Sequence, residues 1–218
     1  MLESAVLLIA LLCVFPLSAT NPQKKEMKEL NVKKVSLANV AVENIPALLD
    51  KEKVAFQSIN TVNWKAFPYQ PEVQFRIAHT DDAILVHYKV KEASVRAVAA
   101  GDNGAVWEDA CVEFFSIPAG DGIYYNVECN CAGTLLIGAG AGRENREHAP
   151  QEVMDKVQRW SSLGRQSFEE RVGECNWELA LVIPYSAFLC FLLSFNVIVS
   201  FLFIYLNPIS GGCPTAHH

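Results

Sequence analysis

Between Val73 and Ile183 the chain alternates apolar and polar residues with a period of two, and that periodicity limits it to sheet. Val73, Phe75 and Ile77 alternate with Gln74, Arg76 and Ala78, and Thr80-Asp81-Asp82 supplies a turn. Ile84, Val86, Tyr88 and Val90 then alternate with Leu85, His87, Lys89 and Lys91, which predicts a hairpin with one buried face. Strands are expected at Cys111–Ile117, Ile123–Asn130 and Thr134–Ile137, separated by Gly- and Pro-bearing turns. Another is expected where Trp177, Leu179, Leu181 and Ile183 alternate with Glu178, Ala180 and Val182. Helical signals are confined to a turn at Ile45–Leu49 and to Pro150–Trp160, where Val153, Val157 and Trp160 have helical spacing. The expected fold is mainly all-β: an antiparallel β-sandwich, jelly-roll or immunoglobulin-like, with one short helical insertion.

Both ends differ from this middle. Residues 5–19 hold 13 apolar residues of 15, the length of a secretory h-region, ahead of a tolerable cleavage site at Leu17-Ser18-Ala19. Residues 1–19 are therefore expected to be a signal peptide and the protein extracytoplasmic: secreted, periplasmic or on the cell surface. The alternative is a cytoplasmic protein translated from Met27. Residues 187–206 hold 17 apolar residues of 20 and read as a membrane span, as buried strands or as an aberrant tail, with 207–218 as a further tail. Membrane association through 187–206 is thus one expectation.

Charge excludes one class of partner. The chain carries 18 basic and 24 acidic residues, a net charge of −6, and has no basic run longer than two. A nucleic-acid binder needs a positive field to displace counterions from phosphates, so none is expected as a partner. The seven cysteines lack the spacing of a disulfide scaffold, and Cys129 and Cys131 lack the second pair or histidine that zinc requires. Free buried thiols are expected. A haem-bearing redox sandwich would need an axial Met or His pair, and Met154 with scattered histidines is a poor source of one.

The chemistry is concentrated in residues 107–147. Alternation places Asp109, Glu113 and Phe115 on one strand face, and Asn126, Glu128 and Asn130 on one face of the next strand. If the two strands pair, the result is a floor of carboxylates and amides. Sugar hydroxyls both donate and accept, so such a floor matches a polyol. A pyranose also presents an apolar face that needs a flat aromatic wall, and Trp107 stands at the floor's edge. The glycine-rich segment Gly138–Arg146 is able to bring Arg143 and Arg146 over the floor, where they would help to keep several carboxylates ionised. A second use of the same residues is glycoside processing, with Glu113 and Glu128 as the acid–nucleophile pair of a retaining enzyme.

The run Asn63-Trp64, Pro68-Tyr69-Gln70-Pro71, Phe75-Arg76-Ile77-Ala78-His79, Lys89-Val90-Lys91-Glu92, Trp107-Glu108-Asp109, Val112-Glu113-Phe114-Phe115 and Tyr124-Tyr125-Asn126, with Gly133 and Arg143, resembles the family 9-like carbohydrate-binding domains of Bacteroidota-type bacteria. The resemblance covers residues 27–186. It implies a non-catalytic β-sandwich module that grips glycan ends in support of polysaccharide catabolism, with oligo- or polysaccharides and glycan-degrading enzymes as partners. In family 9 modules of xylanases two tryptophans hold the sugar and calcium supports the structure. Carried over, Trp107 is one wall and Trp160, or Trp64, the other. No cofactor is expected apart from calcium near Asp102, Asp109 or Asp121. The uncharged C-terminal tail departs from the family pattern, with Leu206-Asn207-Pro208-Ile209 only faintly matching its closing Trp-Asn-Pro segment.

Overall fold

The alternation at 73–77 and 84–90 forms the hairpin that organises the molecule. β5 (Glu72–His79) pairs with β6 (Ala83–Ala97), Phe75 facing Tyr88 and Ile77 facing Val86. The computed structural model describes residues 7–8, 29–38, 40–61, 68–118, 120–188 and 198–200. The signal-like segment 5–19, apart from Leu7–Leu8, therefore lies outside the described residues. So do Trp64, the tail 207–218 and most of 187–206. No helix among the described residues is long and apolar enough to cross a membrane.

Around that hairpin lie β3 (Lys33–Lys34), β4 (Gln57–Ile59), β11 (Gln158–Ser161) and β12 (Phe168–Pro184). The six-stranded sheet runs β11-β12-β6-β5-β3, with β4 pairing β5. A second sheet has the order β10-β9-β8-β7-β13, from β7 (Cys111–Ile117), β8 (Tyr124–Asn130), β9 (Leu135–Gly140), β10 (Glu147–His148) and β13 (Ile198–Ser200). A separate short pair joins β1 (Leu7–Leu8) to β2 (Glu29–Leu30). Every pairing is antiparallel except β3 with β5.

The two sheets pack face to face. Phe75, Val86, Tyr88, Trp177 and Leu179 of one meet Val112, Phe114, Tyr125, Val127 and Ile137 of the other in a single core. These positions share strand parity, which is how a period-two pattern becomes a layer. The protein is an antiparallel β-sandwich, as expected.

The prediction of one buried face for the β5–β6 hairpin is corrected. Leu85 and His87 on the outer face have no exposed surface, and Ala78 has none either. They are covered by α1 (Ile45–Lys51), whose Ile45 and Leu49 pack with Ala78, Leu85, Ala180 and Val182. Polar groups beneath α1 are matched one to one. Arg76 donates from Nη1 to Asp50 (2.6 Å), from Nη2 to the Pro46 carbonyl (2.8 Å) and from Nε to His87 Nδ1 (3.0 Å). His87 therefore carries its proton on Nε2, which it donates to Glu178 (2.8 Å). Burial and the adjacent Arg76 push the His87 pKa down to about 4, so the ring is neutral at pH 7.

The Pro150–Trp160 helix also needs correction. α2 covers only Gln151–Met154, and residues 158–161 leave it to pair with β12, Trp160 opposite Ala180. The exposed edge of β12 offers those residues a ladder of hydrogen bonds, a stronger claim than the helical spacing of three apolar side chains.

Candidate functional site: an acid–amide floor on the five-stranded sheet

β7 and β8 pair in the register that the floor requires. Glu113 lies directly opposite Glu128, Phe115 opposite Asn126, and Cys111 opposite Asn130. β9 extends the same face, with Leu136 beside Glu128 and Gly138 beside Asn126, and β10 adds His148 beside Gly138. This face is turned away from the sandwich core, yet Asn126 is only 2% and Glu128 only 3% exposed.

The cover is partly Arg146. Its stem lies along β9 over two glycines: a Cβ on Gly138 would stand 3.6 Å from Arg146 Cδ, and one on Gly140 only 3.0 Å from Arg146 Cγ. The guanidinium carbon reaches 5.9 Å from the Tyr124 ring centroid, and Tyr124 packs at 5.9 Å against Phe115. Arg146 Nε also donates to the Arg143 carbonyl (3.2 Å), bracing the hairpin. At the other end Trp107 is half-buried in a 3₁₀ turn (Val106–Glu108), packed with the cluster of Val106, Cys111 and Leu136. Trp107 thus borders the floor.

Two acidic residues face to face require a proton. Glu113 and Glu128 hydrogen-bond to each other, and carboxylates are acceptors only, so one of the pair remains protonated. Burial, then the charge of Glu128, drives the Glu113 pKa far above the carboxylate range, while Arg146 and Arg143 oppose the rise. Burial raises Glu128 too, moderated by hydrogen bonds from Cys111 (Sγ to Oε1, 3.3 Å), Glu113 and Asn126. Asn126 donates to Glu128 in this way, and among the described residues its buried Oδ1 has no hydrogen-bond partner. An orphaned acceptor of this kind is costly unless something else supplies a donor.

Asp109 and Asn130 belong to the frame of the site. Asp109 accepts from the backbone amides of Val98 and Ala99 (2.9 Å each) and from Asn130 Nδ2 (2.8 Å), with Arg96 Nε at 3.6 Å. Asn130 Oδ1 accepts from Ala132 (3.1 Å) and Thr134 (2.8 Å) across the β8–β9 turn. Trp160 is not brought to the floor. It packs with α1 and the outer face of the six-stranded sheet, on the far side of the sandwich.

Sequence reasoning missed Tyr124, Cys111 and the pairing of Arg146 with Gly138 and Gly140. Tyr124 shares parity with Asn126 and Glu128, which would have placed it. The two glycines read as part of a flexible loop, whereas they end a strand and leave room for an arginine stem.

The carboxylates named for calcium do not form a cage. Asp102 receives both terminal nitrogens of Arg159 (2.6 and 2.7 Å) and the Leu135 amide (2.9 Å). Asp109 is held as above, and Asp121 caps its own turn through the Ile123 amide (3.0 Å). Among the described residues no three His, Cys, Asp or Glu side chains converge on one point. These donors do not fit the six to eight oxygens of a calcium site. Cys111, Cys129 and Cys131 are buried, and Cys175 is half-buried.

The two sheets and this floor define a β-sandwich that displays a polar, aromatic-edged surface on one sheet. The chain belongs to carbohydrate-binding family 9, whose family model matches residues 43–197. It is similar to a crystal structure described as a "putative carbohydrate-binding protein" from Bacteroides uniformis, with 61% identity, a TM-score of 0.72, and coverage of 75% of this chain and 76% of that one. Two structures of a family 9 carbohydrate-binding module from Caldicellulosiruptor kristjanssonii, solved with glucose and with cellotriose, are far more distant. They share 12% and 13% identity, each with a TM-score of 0.38, covering 62% of this chain and 59% and 58% of theirs. A comparison with curated proteins returned no match.

Proposed function

We propose that this protein binds glycan ends without catalysis, on the face made by β7, β8 and β9, in support of polysaccharide breakdown by partner enzymes outside the cytoplasm. The observation that carries this reading is the buried Asn126 Oδ1, an acceptor without a donor among the described residues, set beside the Glu113–Glu128 pair. A sugar hydroxyl supplies the missing donor and accepts in return from the protonated carboxyl. Trp107 on one side and Tyr124 with Phe115 on the other offer apolar surface to the C–H face of the ring. Arg143 and Arg146 close over the bound end. Asp109 and Asn130 hold the frame rather than the ligand.

The same geometry favours binding over glycoside processing by Glu113 and Glu128. A retaining pair stands about 5–5.5 Å apart, with the anomeric carbon between. Here the two carboxyls are hydrogen-bonded to one another, and both are held toward the protonated state, which suits neither a nucleophile nor an intervening sugar.

A tryptophan-fluorescence titration of the full chain with cello- and xylo-oligosaccharides tests the reading. A saturable change is expected, weakened at least about tenfold by Asn126→Ala and by Trp107→Ala, the value of one good hydrogen bond or stacking contact. Unchanged affinity in both variants would remove the site, and release of shorter sugars on incubation would favour the enzyme.

A further inference from the structure

Of the seven arginines, Arg165 donates to the Gly133 carbonyl (2.7 Å), Arg171 lies 3.9 Å from the Phe168 ring centroid, and three others are held by aspartates. Arg76, Arg159 and Arg96 each face an aspartate: Asp50 at 2.6 Å, Asp102 at 2.6 Å and Asp109 at 3.6 Å. Arg143 and Arg146 make no ion pair among the described residues, although both act on the Glu113 charge. Arg146 is only half-buried and lies over the floor, its Nε donating to the Arg143 carbonyl and its guanidinium carbon 5.9 Å from the Tyr124 ring centroid.

Two guanidinium groups stand near a floor whose buried acid pair is short of its full negative charge. Burial holds Glu113 and Glu128 both toward the protonated state, while Arg146 opposes that rise at each of them and Arg143 at Glu113. Among the described residues, the other titratable groups around the floor form no ion pair with either arginine. Cys111 is buried and its thiol is held protonated by burial and by Glu128. Asp109 is taken up by three N–H donors and Arg96. His148 lies beside Gly138, and Tyr124 lies under Arg146. Glu144 and Glu147, on the arginine hairpin itself, are exposed and pair with neither arginine. Among the described residues, two guanidinium groups without an ion pair thus accompany a buried acceptor without a donor.

We propose that the ligand of this face is an acidic saccharide, with the carboxylate of a sugar acid in the forks of Arg143 and Arg146 and a ring hydroxyl donating to Asn126 Oδ1. This rests on the carbohydrate-binding reading and makes it specific. A planar carboxylate matches the paired N–H groups of a guanidinium, and a charge-assisted contact of that kind is about twice as strong as a neutral one.

The test is calorimetric titration of the full chain with glucuronate- and galacturonate-terminated disaccharides and with their neutral glucose and galactose counterparts, in low and high salt. The uronates are expected to bind at least about tenfold more tightly in low salt, with the margin shrinking in high salt. Arg143→Gln and Arg146→Gln should each narrow the margin, and Arg146→Lys should restore little of it, because the charge returns without the fork. Arg143 is exposed, so its variant keeps the test valid if Arg146→Gln disturbs the hairpin. Neutral sugars binding as tightly as the uronates would overturn this inference and leave the carbohydrate reading standing. A margin untouched by both glutamine variants would overturn it as well. Failure of all four sugars to bind would overturn both.

Discussion

Glu92 shows how a single buried carboxyl sets the response to pH. It is 5% exposed and accepts a hydrogen bond from the Trp177 indole, but burial raises its pKa to about 7. The unfolded chain releases that proton near 4.5, so between pH 4.5 and 7 the folded state binds more protons. The stability contributed by the neutral carboxyl is complete below 4.5 and lost as pH rises through 7. Glu92→Gln keeps an acceptor for Trp177 and removes the charge, so thermal melts should show a variant at least as stable as wild type at pH 8. A large loss of stability at pH 8 would mean that the ionised carboxylate matters to the fold. His87 works in the opposite sense. Its pKa is lowered from 6.5 to about 4, so the stability it contributes is present above 6.5 and lost as pH falls toward 4. His87→Gln should flatten the acid side of the stability profile, and an unchanged acid limb would assign acid sensitivity to other groups.

At the scale of elements, the loop before β7 and the turn after β8 are held by one aspartate. Asp109→Ala leaves the amides of Val98 and Ala99 and the Asn130 side chain without their acceptor, at a cost on the order of 2–5 kcal/mol in urea unfolding. A ligand contact would instead lose affinity and keep its stability, so the two measurements separate frame from contact. β9 carries a different device. Gly140→Ala sets a Cβ 3.0 Å from Arg146 Cγ and 3.4 Å from its Cα, so the arginine stem has to give way by a few tenths of an ångström. The sandwich should stay folded while sugar affinity falls, and unaltered affinity would show that the position of Arg146 is immaterial. The floor was legible in the sequence because strand parity is rigid: once β7 and β8 pair, Glu113, Asn126 and Glu128 have nowhere else to face. Trp160 was misplaced because its spacing from Val153 and Val157 matches a helix as well as a covered edge strand does. Only the free edge of β12 decides between them.

Across the whole molecule the sandwich separates two polar systems by the thickness of its core. Beneath α1, Arg76 donates to Asp50 and to His87, and His87 to Glu178, so this chain of polar groups is joined by hydrogen bonds. On the five-stranded sheet lie an acid pair and, among the described residues, an amide oxygen without a hydrogen-bond partner and two arginines without an ion pair. Period-two alternation predicted both sheets and which side chains share the core. It could not show that a helix would cover one outer face, since a solvated strand face and one buried under α1 share the same repeat. It also could not show that Arg146 would fold back over glycines, because that contact joins a hairpin to the strand before it.

The most direct measurement is residue-resolved NMR of the full chain during titration with glucose-, xylose- and glucuronate-terminated oligosaccharides. The account predicts saturable shifts at the Asn126 side-chain amide and at the backbone amides of Glu113, Glu128 and residues 138–146, with Trp160 and α1 silent. Shifts confined to the face around Trp160, or none with any sugar, would contradict it.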